Sequence, residues 1–290
     1  MITQLKFIAN HPFNSTDRLG ALVRFVKWQI NTKFNPYPIV YPFTEHSKFL
    51  VWKGLHGATG NMYCGLQEEQ DMGFLLHFLR KEDIFMDVGA NIGSYTLLAS
   101  AEIGAKTISI EPIPTTFEYL KNNVFLNQIN AKVTLLNIGL GSKKGSVKFT
   151  QGLDTANHVA TTKEKDVVEV TVDTLDNIAQ NQCPILIKID VEGFETEVLK
   201  GATNTLKQPE LKAIIIELNG SGNRYGYDEN KIHQTFLNAG FAPFDYNPFK
   251  RQLTELTSFG VHNTIYLKDP NFVRERIKNA RKIKVNSREI

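Results

Sequence analysis

From residue 84 onward, the sequence alternates short, β-rich apolar runs with longer stretches of helical spacing. The apolar runs are 84–88, 106–111, 132–137, 185–190 and 212–218, and the helical stretches are 93–103, 114–127, 194–207 and 228–238. Strands that are apolar on both faces and alternate with helices are typical of right-handed βαβ units on a parallel sheet. The alternation therefore predicts a doubly wound α/β fold.

Two intervals depart from this alternation. Residues 145–150 and 167–172 alternate apolar and polar side chains around a polar loop, which predicts a hairpin beside the functional site. Near the end of the sequence, 241–246 and 261–267 predict two further strands, joined by a loop over 247–260. We expect these last strands to give the sheet an antiparallel edge.

The residues before the first core strand have a different pattern. They predict an amphipathic helix over 18–33, a short strand over 48–53 and a helix over 68–80. We therefore expect three regions, namely an extension or lid over 1–66, a core α/β domain over 67–268 and a basic tail over 269–290.

Composition limits the kind of protein. The chain has 290 residues, of which 42% are hydrophobic, so it can bury a large core. Cys64 and Cys183 are far apart and predict neither a disulfide framework nor a thiolate zinc site. The first residues lack the pattern of a signal peptide, and no apolar run reaches the roughly 18 residues of a membrane span. We expect a soluble, cytoplasmic protein.

Charge is unevenly distributed along the chain. Residues 272–290 hold seven Lys and Arg against two Glu, a net charge of +5. Because the whole chain has a formal charge of +3, the remaining residues carry a net charge of −2. The sheet region has no evident basic patch with interleaved aromatic residues, so a nucleic acid partner is not expected. Two interpretations of the tail stay open, a solvated helix or docking to anionic lipid or to a partner. The helix over 18–33 likewise either packs on the core or rests on a membrane surface.

The turn after the first core strand has the composition of a ligand-binding loop. In open parallel sheets ligands bind beyond the carboxyl ends of the strands, and here that turn runs from Gly89 to Gly93. Glycine lets the backbone turn tightly and approach a ligand. The third glycine of a dinucleotide-binding loop is missing, which favours a smaller nucleoside cofactor without a pyrophosphate. Asp87, at the end of the strand, offers an acceptor for an ammonium group or a water.

An acidic residue closes the next strand. Glu111 lies 18 residues beyond Gly93, close to the spacing of about 20 at which a carboxylate holds the ribose hydroxyls of a nucleotide. Pro112 then turns the chain away. The loop and Glu111 together predict a nucleoside-binding pocket.

At this point several spaced motifs are similar to those of one family. The motifs are Asp87-Val88-Gly89-Ala90-Asn91-Ile92-Gly93-Ser94-Tyr95-Thr96, Glu111-Pro112, Lys188-Ile189-Asp190-Val191-Glu192-Gly193-Phe194-Glu195, Val198-Leu199-Lys200-Gly201-Ala202 and Ile216-Glu217-Leu218. Over about residues 60 to 268 the chain resembles the FkbM-type methyltransferases. The resemblance implies a Rossmann-like class I methyltransferase fold, with seven strands of which the last is antiparallel. It also implies S-adenosyl-L-methionine as the cofactor and O-methylation of a sugar hydroxyl in a glycan, glycolipid or natural product.

The resemblance also implies roles for individual residues. Gly89, Ala90, Asn91 and Gly93 would wrap the methionyl part of the cofactor, and Glu111, followed by Pro112, would hold its ribose. The segment Asn137-Ile138-Gly139 would border the adenine. Glu68 occupies the acidic position ahead of the first core helix, and Asp87 and Asp190 complete the expected cofactor contacts.

Acceptor chemistry is expected at the end of the fourth core strand. An alcohol is almost fully protonated at neutral pH, so a carboxylate within hydrogen-bond reach of it acts as a general base. We expect Asp190 to be this base or to orient the acceptor, and Glu192 to contact substrate or cofactor, although either carboxylate alternatively caps the helix that follows. Glu217 and His262 are further substrate-contact candidates, each with an alternative structural role. Lys188 is unusual inside a buried strand and indicates a sheet edge or a paired charge.

Other classes of function stay open. No His, Cys or carboxylate spacing predicts a metal site, and metal dependence remains conceivable only through Asp190, Glu192 and Glu217. A nicotinamide-dependent oxidoreductase on the same sheet and a non-catalytic nucleoside-binding module are the alternative functions. Acceptor specificity is expected in the front section and in the loops 151–166 and 247–260, where the sequence offers no code.

Overall fold

The computed structural model describes residues 2–161 and 164–290. Its strands are β1 (Ile39–Pro42), β2 (Lys48–Val51), β3 (Ile84–Val88), β4 (Lys106–Ile110), β5 (Val133–Leu136), β6 (Gly139–Leu140), β7 (Gly145–Thr150), β8 (Val167–Asp173), β9 (Leu186–Ile189), β10 (Ala213–Glu217), β11 (Ala242–Asn247), β12 (Gln252–Glu255), β13 (Asn263–Leu267), β14 (Lys284–Val285) and β15 (Arg288–Glu289). Its α-helices are α1 (Ile2–Asn10), α2 (Arg18–Phe34), α3 (His56–Cys64), α4 (Glu69–Phe78), α5 (Ser94–Leu97), α6 (Pro114–Leu126), α7 (Leu175–Ala179), α8 (Glu195–Lys200), α9 (Glu229–Asn238) and α10 (Pro270–Lys278).

The central sheet confirms the predicted doubly wound fold. Its strand order is β12-β11-β13-β10-β9-β3-β4-β5. The five strands β5, β4, β3, β9 and β10 are parallel, whereas β13 is antiparallel to both β10 and β11. The order reverses between β3 and β9, so the carboxyl ends of these two strands border the crevice in which such folds bind ligands.

The expected count of seven strands was wrong, because the sheet has eight. The additional strand β12 lies inside the segment predicted to be a loop over 247–260. It pairs with β11 in a tight hairpin in which Asn247 faces Gln252. Only one of its four residues is even partly buried, so β12 lacks the apolar alternation that would have indicated a strand.

Two predicted helices are shorter or less regular than their sequence spacing indicates. After α5 the chain continues as a π-helix over Leu98–Ile103. The helix expected over 194–207 ends at Lys200 and resumes only as a 3₁₀ turn over Thr205–Lys207. Gly201 is the C-cap of this helix, and a Cβ there would lie 2.1 Å from the carbonyl oxygen of Gly141, so the close approach of a neighbouring backbone requires glycine at this position.

The predicted hairpin over 145–150 and 167–172 is confirmed. Strands β7 and β8 pair antiparallel from Gly145 with Val172 to Thr150 with Val167. Together with β6 they form a separate three-stranded sheet. The side chain of Phe149 contributes both to the small apolar cluster of this sheet and to the wall of the main cavity. This second sheet therefore lies beside the site.

The front section and the tail share one core with the sheet. Phe25 and Trp28 of α2, Ile277 of α10 and Val285 of β14 are buried in the same apolar cluster as Phe85 of β3. The regions expected at the two ends of the sequence thus pack as parts of one unit.

The basic tail is not helical throughout. Helix α10 ends at Lys278, and a two-stranded hairpin of β14 and β15 follows. Ile283 and Val285 are fully buried, and the Arg281 guanidinium pairs with the buried Glu102 carboxylate. The expected solvated helix is therefore wrong beyond Lys278, because apolar and charged partners in the core hold this segment. No helix among the described residues has the length and apolarity needed to cross a bilayer.

Candidate active site

A cavity of about 270 Å³ opens at the carboxyl ends of β3, β4, β9 and β10. Its floor and walls come from the loops after these strands, from α3 and from the β6-β8-β7 sheet. The sequence-predicted residues that line it are Glu68, Asp87, Gly89, Ala90, Asn91, Glu111, Pro112, Ile138, Gly139, Asp190, Glu192 and Glu217. The structure thus brings together residues that are up to 149 positions apart in the sequence.

The glycine loop is held in place by its neighbours. The backbone amides of Gly89 and Ala90 both donate to the carbonyl oxygen of Ile110, at 3.0 and 2.9 Å. Gly89 has a φ of 78°, and a Cβ on it would lie 1.8 Å from the Asp190 carbonyl oxygen. No side chain fits at this position, so glycine is required by the close approach of two strand ends. Asn91 also adopts a left-handed backbone, with a φ of 52°.

Glu111 is tied to the loop by its carboxylate. One oxygen accepts from the Asn91 amide at 2.9 Å, and the other accepts from the Ile113 amide at 3.0 Å. Burial raises the pKa of Glu111 to about 7, although these two hydrogen bonds oppose the shift. The carboxylate therefore faces the cavity in a fixed orientation and titrates near neutral pH.

Asp87 has an unfulfilled acceptor beside the cavity. Its Oδ2 accepts from the Thr96 hydroxyl at 2.7 Å, whereas its Oδ1 is buried and has no hydrogen-bond partner among the described residues. Burial raises the pKa of Asp87. A buried carboxylate oxygen without a donor is costly. A cationic or N–H donor bound in the cavity would satisfy it.

Two other predicted cofactor residues act through the backbone. Asn137 is exposed and outside the cavity wall, and its Nδ2 donates to the carbonyl oxygens of Glu111 and Pro112 at 2.9 and 3.0 Å. Gly93 is likewise not part of the wall, and a Cβ there would meet Leu120 Cδ1 at 2.6 Å. Both residues shape the loops that carry the lining residues.

Lys188 has an explanation in the structure. It is buried in β9, its Nζ donates to Asp190 Oδ2 at 2.7 Å, and it lies 4.8 Å from the centre of the Tyr95 ring. Burial alone would lower the pKa of Lys188, but the carboxylates of Asp190 and Glu68 raise it above its usual range. The Tyr95 hydroxyl in turn donates to Glu68 Oε2 at 2.7 Å. Lys188 is therefore a paired charge that fixes the orientation of Asp190.

Three carboxylates converge on the opposite side of the cavity. Oxygen atoms of Asp190, Glu192 and Glu217 lie within 4.8 Å of one another. Burial, and then the negative charge of Asp190, raise the pKa of Glu192 to about 7 and that of Glu217 to about 9. Glu217 Oε2 is buried without a partner among the described residues. These three carboxylates could offer oxygen ligands to a divalent cation. The Lys188 ammonium group already places one positive charge beside Asp190.

The turn after β9 is held by a residue that sequence reasoning missed. Glu195 Oε1 accepts from the amides of Val191 and Gly193, at 3.2 and 3.1 Å. Glu192 has a φ of 53°, and Gly193 has no room for a Cβ against the backbone of Ser221. Glu195 thus holds the turn before α8. Among the residues that the structure describes, no side-chain hydrogen bond caps this helix, so neither Asp190 nor Glu192 has the capping role that we had weighed, and both line the cavity.

Further wall residues come from segments without a recognisable motif. Gly57 and Asn61 of α3 line the cavity, as do Thr155 and Asn157 of the loop predicted to govern specificity. Residues 162 and 163 of that loop lie outside the described residues. His262 is exposed and does not line the cavity, and its carbonyl oxygen accepts from the Leu218 amide at 2.8 Å. The glycine loop and the Asp and Glu residues at strand ends gave the usable sequence signals for this site.

The strand order, with a reversed strand beside β10, and a nucleoside-sized cavity over β3 and β4 define the class I methyltransferase arrangement. The model of the FkbM methyltransferase domain matches residues 87–243, more than half of the chain. The chain therefore belongs to the FkbM methyltransferase family, as the sequence motifs had indicated.

Two relatives illustrate the similarity. Hexuronic acid methyltransferase AglP of Haloferax volcanii is 33% identical, over 53% of this chain and 63% of that protein. Methyltransferase sdnD of Sordaria araneosa is 27% identical, over 42% of this chain and 61% of that protein. The chain thus matches about six tenths of the length of these relatives.

Solved structures give a weaker similarity. Precorrin-6y C5,15-methyltransferase of Geobacter metallireducens aligns over 78% of this chain and 98% of that chain, with a TM-score of 0.42 and 13% identity. A likeness at this level says nothing about the activity of the present chain.

Proposed function

We propose that this chain is an S-adenosyl-L-methionine-dependent O-methyltransferase that acts on a hydroxyl group of a sugar, free or within a glycan, glycolipid or natural product. The observation that carries the proposal is the juxtaposition, in one cavity, of the glycine loop with Glu111 and the lysine-paired carboxylate of Asp190. Membership of the FkbM family and the similarity to a protein named for methylation of a hexuronic acid support it.

The cofactor side of the cavity fits S-adenosyl-L-methionine. The unpartnered Asp87 Oδ1 suits the ammonium group of the methionyl part, and the oriented Glu111 carboxylate suits the ribose hydroxyls. Ile138 and Gly139 provide a wall for the adenine. Glu68 lies at the same side, held by Tyr95. When bound, this cofactor supplies a methyl group that its sulfonium already activates.

The acceptor side supplies alignment and a base. Asp190 accepts a hydrogen bond from the acceptor hydroxyl and takes its proton as the oxygen is methylated. Lys188 holds the Asp190 carboxylate by its 2.7 Å hydrogen bond, which fixes the direction of its lone pairs. Glu192 and Glu217 accept hydrogen bonds from neighbouring hydroxyls of the sugar.

Substitution of the base tests the proposal. We expect Asp190→Asn to lower methyl transfer by about 10²–10⁴-fold while the affinity for S-adenosylhomocysteine stays within a few-fold. Calorimetry measures the binding, and mass spectrometry of glycan fractions incubated with an isotopically labelled methyl donor measures the transfer and identifies the acceptor. Asp245→Asn, at an exposed position of β11, is the matched control.

Other outcomes separate the alternatives. Preferential binding of NAD over S-adenosylhomocysteine would identify a nicotinamide-dependent oxidoreductase. Full turnover by Asp190→Asn would remove the assigned base. Tight binding of S-adenosylhomocysteine with no transfer to neutral sugars or uronic acids would favour a nucleoside-binding module. Loss of transfer in EDTA, with recovery in Mg²⁺, would make the three carboxylates a metal site instead of a base and its neighbours.

A further inference from the structure

Helix α2 has two apolar faces, and the core covers only one of them. Ala21, Phe25 and Trp28 are buried against the rest of the protein. Five other bulky apolar residues of the same helix are 42% to 83% exposed. They are Leu19, Val23, Val26, Ile30 and Phe34. We call these five residues the α2 stripe.

The stripe is a continuous surface and not a scatter of single side chains. Its members are spaced by three or four positions, so at 3.6 residues per turn they lie along one side of the helix, opposite the buried face. Phe7, Tyr37 and Val40 are further exposed apolar residues in the neighbouring sequence. Among the described residues, eight of the thirteen exposed bulky apolar side chains lie between Phe7 and Val40. Such a concentration of exposed apolar side chains marks an interaction surface.

Positive charge surrounds the stripe. Residues 2–37 contain five Lys and Arg against one acidic residue, a net charge of +4. That acidic residue, Asp17, is paired with Arg24 at 3.2 Å. Lys27 and Lys33 are exposed and project about 60° to either side of the centre of the stripe. An apolar stripe with an exposed lysine on either side fits a helix that lies in the plane of a membrane surface.

We propose that the α2 stripe docks on an anionic lipid bilayer, with α2 lying in the interface and Lys27 and Lys33 directed at the headgroups. Charge selects this occupant over a second copy of the chain, because a symmetric pair of stripes would bring the lysines of both copies together. The surface is independent of the cavity, so the proposal does not depend on the proposed function.

The tail is a weaker candidate than α2 for the membrane contact. Arg276 pairs with Asp83, and Arg288 donates to the Ser15 hydroxyl at 2.9 Å, so part of the tail's charge is engaged within the protein. A truncated chain that ends at Asp269 is a poor test of the tail, because it would lose buried residues such as Val273 and Ile277 from the core. Substitutions in the stripe therefore test the surface without disturbing the fold.

The experiment is co-sedimentation of the full chain with vesicles of phosphatidylcholine alone or with about 30% phosphatidylglycerol. We expect the parent chain to sediment with the anionic vesicles only, and less of it as salt increases. Ile30→Glu/Phe34→Glu should bind the anionic vesicles at least about tenfold more weakly. Phe125→Glu/Val261→Glu, which alters two exposed apolar residues elsewhere, is the control and should bind as the parent does.

Folding and oligomeric state are measured in parallel. Unchanged melting temperature and unchanged binding of S-adenosylhomocysteine would show that the stripe variant is folded. Equal recovery of the parent chain in the supernatant with and without anionic vesicles would overturn the proposal, as would equal binding by the stripe variant. A dimeric parent and a monomeric stripe variant in light scattering, without vesicle binding, would assign the surface to self-association instead.

Discussion

The two sides of the cavity differ in how far their polar groups are satisfied by hydrogen bonds within the protein. On the cofactor side, both oxygens of Glu111 accept backbone amides, and the loop from Gly89 is fixed by hydrogen bonds to Ile110. On the acceptor side, Asp190, Glu192 and Glu217 face one another within 4.8 Å, and Glu217 Oε2 has no partner among the described residues. The loop and Glu111 are held in place before anything binds, although Asp87 Oδ1 on the same side still lacks a partner among the described residues, whereas the carboxylates of the other side need a proton or a ligand.

This difference follows from the ligand that each side would take. A cofactor common to a family can be held by backbone geometry, which tolerates little change in sequence. An acceptor is held by side chains at strand ends and in loops, where substitution costs little stability. We therefore expect substitutions on the cofactor side to cost stability or binding, and some on the acceptor side to increase stability.

The largest effect should come from Gly89→Ala. A Cβ would lie 1.8 Å from the Asp190 carbonyl oxygen, at a φ of 78°, so the two strand ends must separate. We expect a loss of about 3 kcal/mol or more in the free energy of unfolding and no measurable binding of S-adenosylhomocysteine. Urea denaturation and calorimetry measure the two quantities.

Gly145→Ala is the control, because a Cβ there meets nothing within 4 Å. If the two variants have the same free energy of unfolding and the same affinity for S-adenosylhomocysteine, the close contact between Gly89 and Asp190 does not hold the loop in place.

The next effect should come from Glu111→Gln. Loss of a charge-assisted acceptor costs about 1.5–3 kcal/mol, so binding of S-adenosylhomocysteine should weaken by about 10–150-fold. Since the pKa of Glu111 is about 7, the parent's affinity should also fall as the pH drops from 8 to 6 and the carboxylate takes up a proton. The affinity of the variant should depend less on pH over this interval. Glu82→Gln, at an exposed position, serves as the control for charge.

A smaller and opposite effect is expected for Glu217→Gln. The pKa of Glu217 is raised to about 9, so the folded protein retains a proton that the unfolded chain loses near pH 4.3. Stability therefore falls as the pH rises from about 4.3 toward 9, and a neutral glutamine removes this loss. We expect the variant to melt about 2–4 °C above the parent at pH 8, with the difference shrinking toward pH 5. If instead the parent has a higher melting temperature than Glu217→Gln at pH 8, the proximity of the three carboxylates does not destabilise the folded protein.

The smallest effect should come from Tyr225→Phe. The Tyr225 hydroxyl donates to the Val159 carbonyl oxygen at 2.6 Å and so ties the 151–161 segment to the turn Ser221–Tyr225, in which Arg224 donates to the Glu192 carbonyl oxygen. Its removal should cost about 0.5–1.5 kcal/mol and raise KM for the sugar a few-fold. Binding of S-adenosylhomocysteine should stay unchanged. A loss confined to S-adenosylhomocysteine binding would place this segment on the cofactor side.

The sequence predicted the parallel core more accurately than its margins. Core strands such as β3 and β10 were located to within a residue, because strands that are buried on both faces must be apolar throughout. The exposed strand β12 and the hairpin of β14 and β15 were missed, since neither has enough apolar residues to show a period. Helix α8 ends at Gly201, where the backbone of Gly141 leaves no room for a Cβ, and that close approach is visible only in the folded structure.

The site divides in the same way. Glycine and carboxylate residues at strand ends are recognisable because parallel strands place their carboxyl ends at one edge. Glu195, Asn61 and Asn157 could not be found, since their roles depend on backbone groups or on loops that approach only after folding. For His262 the sequence had no means to show that the side chain points to solvent.

By itself, the sequence determined the class of fold, the position of the cofactor loop and the acidic residues that close the strands, because all three follow from the periodicity of burial and from local backbone geometry. Only the tertiary structure decided that Lys188 pairs with Asp190, that three carboxylates share one side of the cavity, and that α2 keeps an uncovered apolar face. These features depend on which elements come to lie next to one another, and a linear pattern does not contain the distances between them.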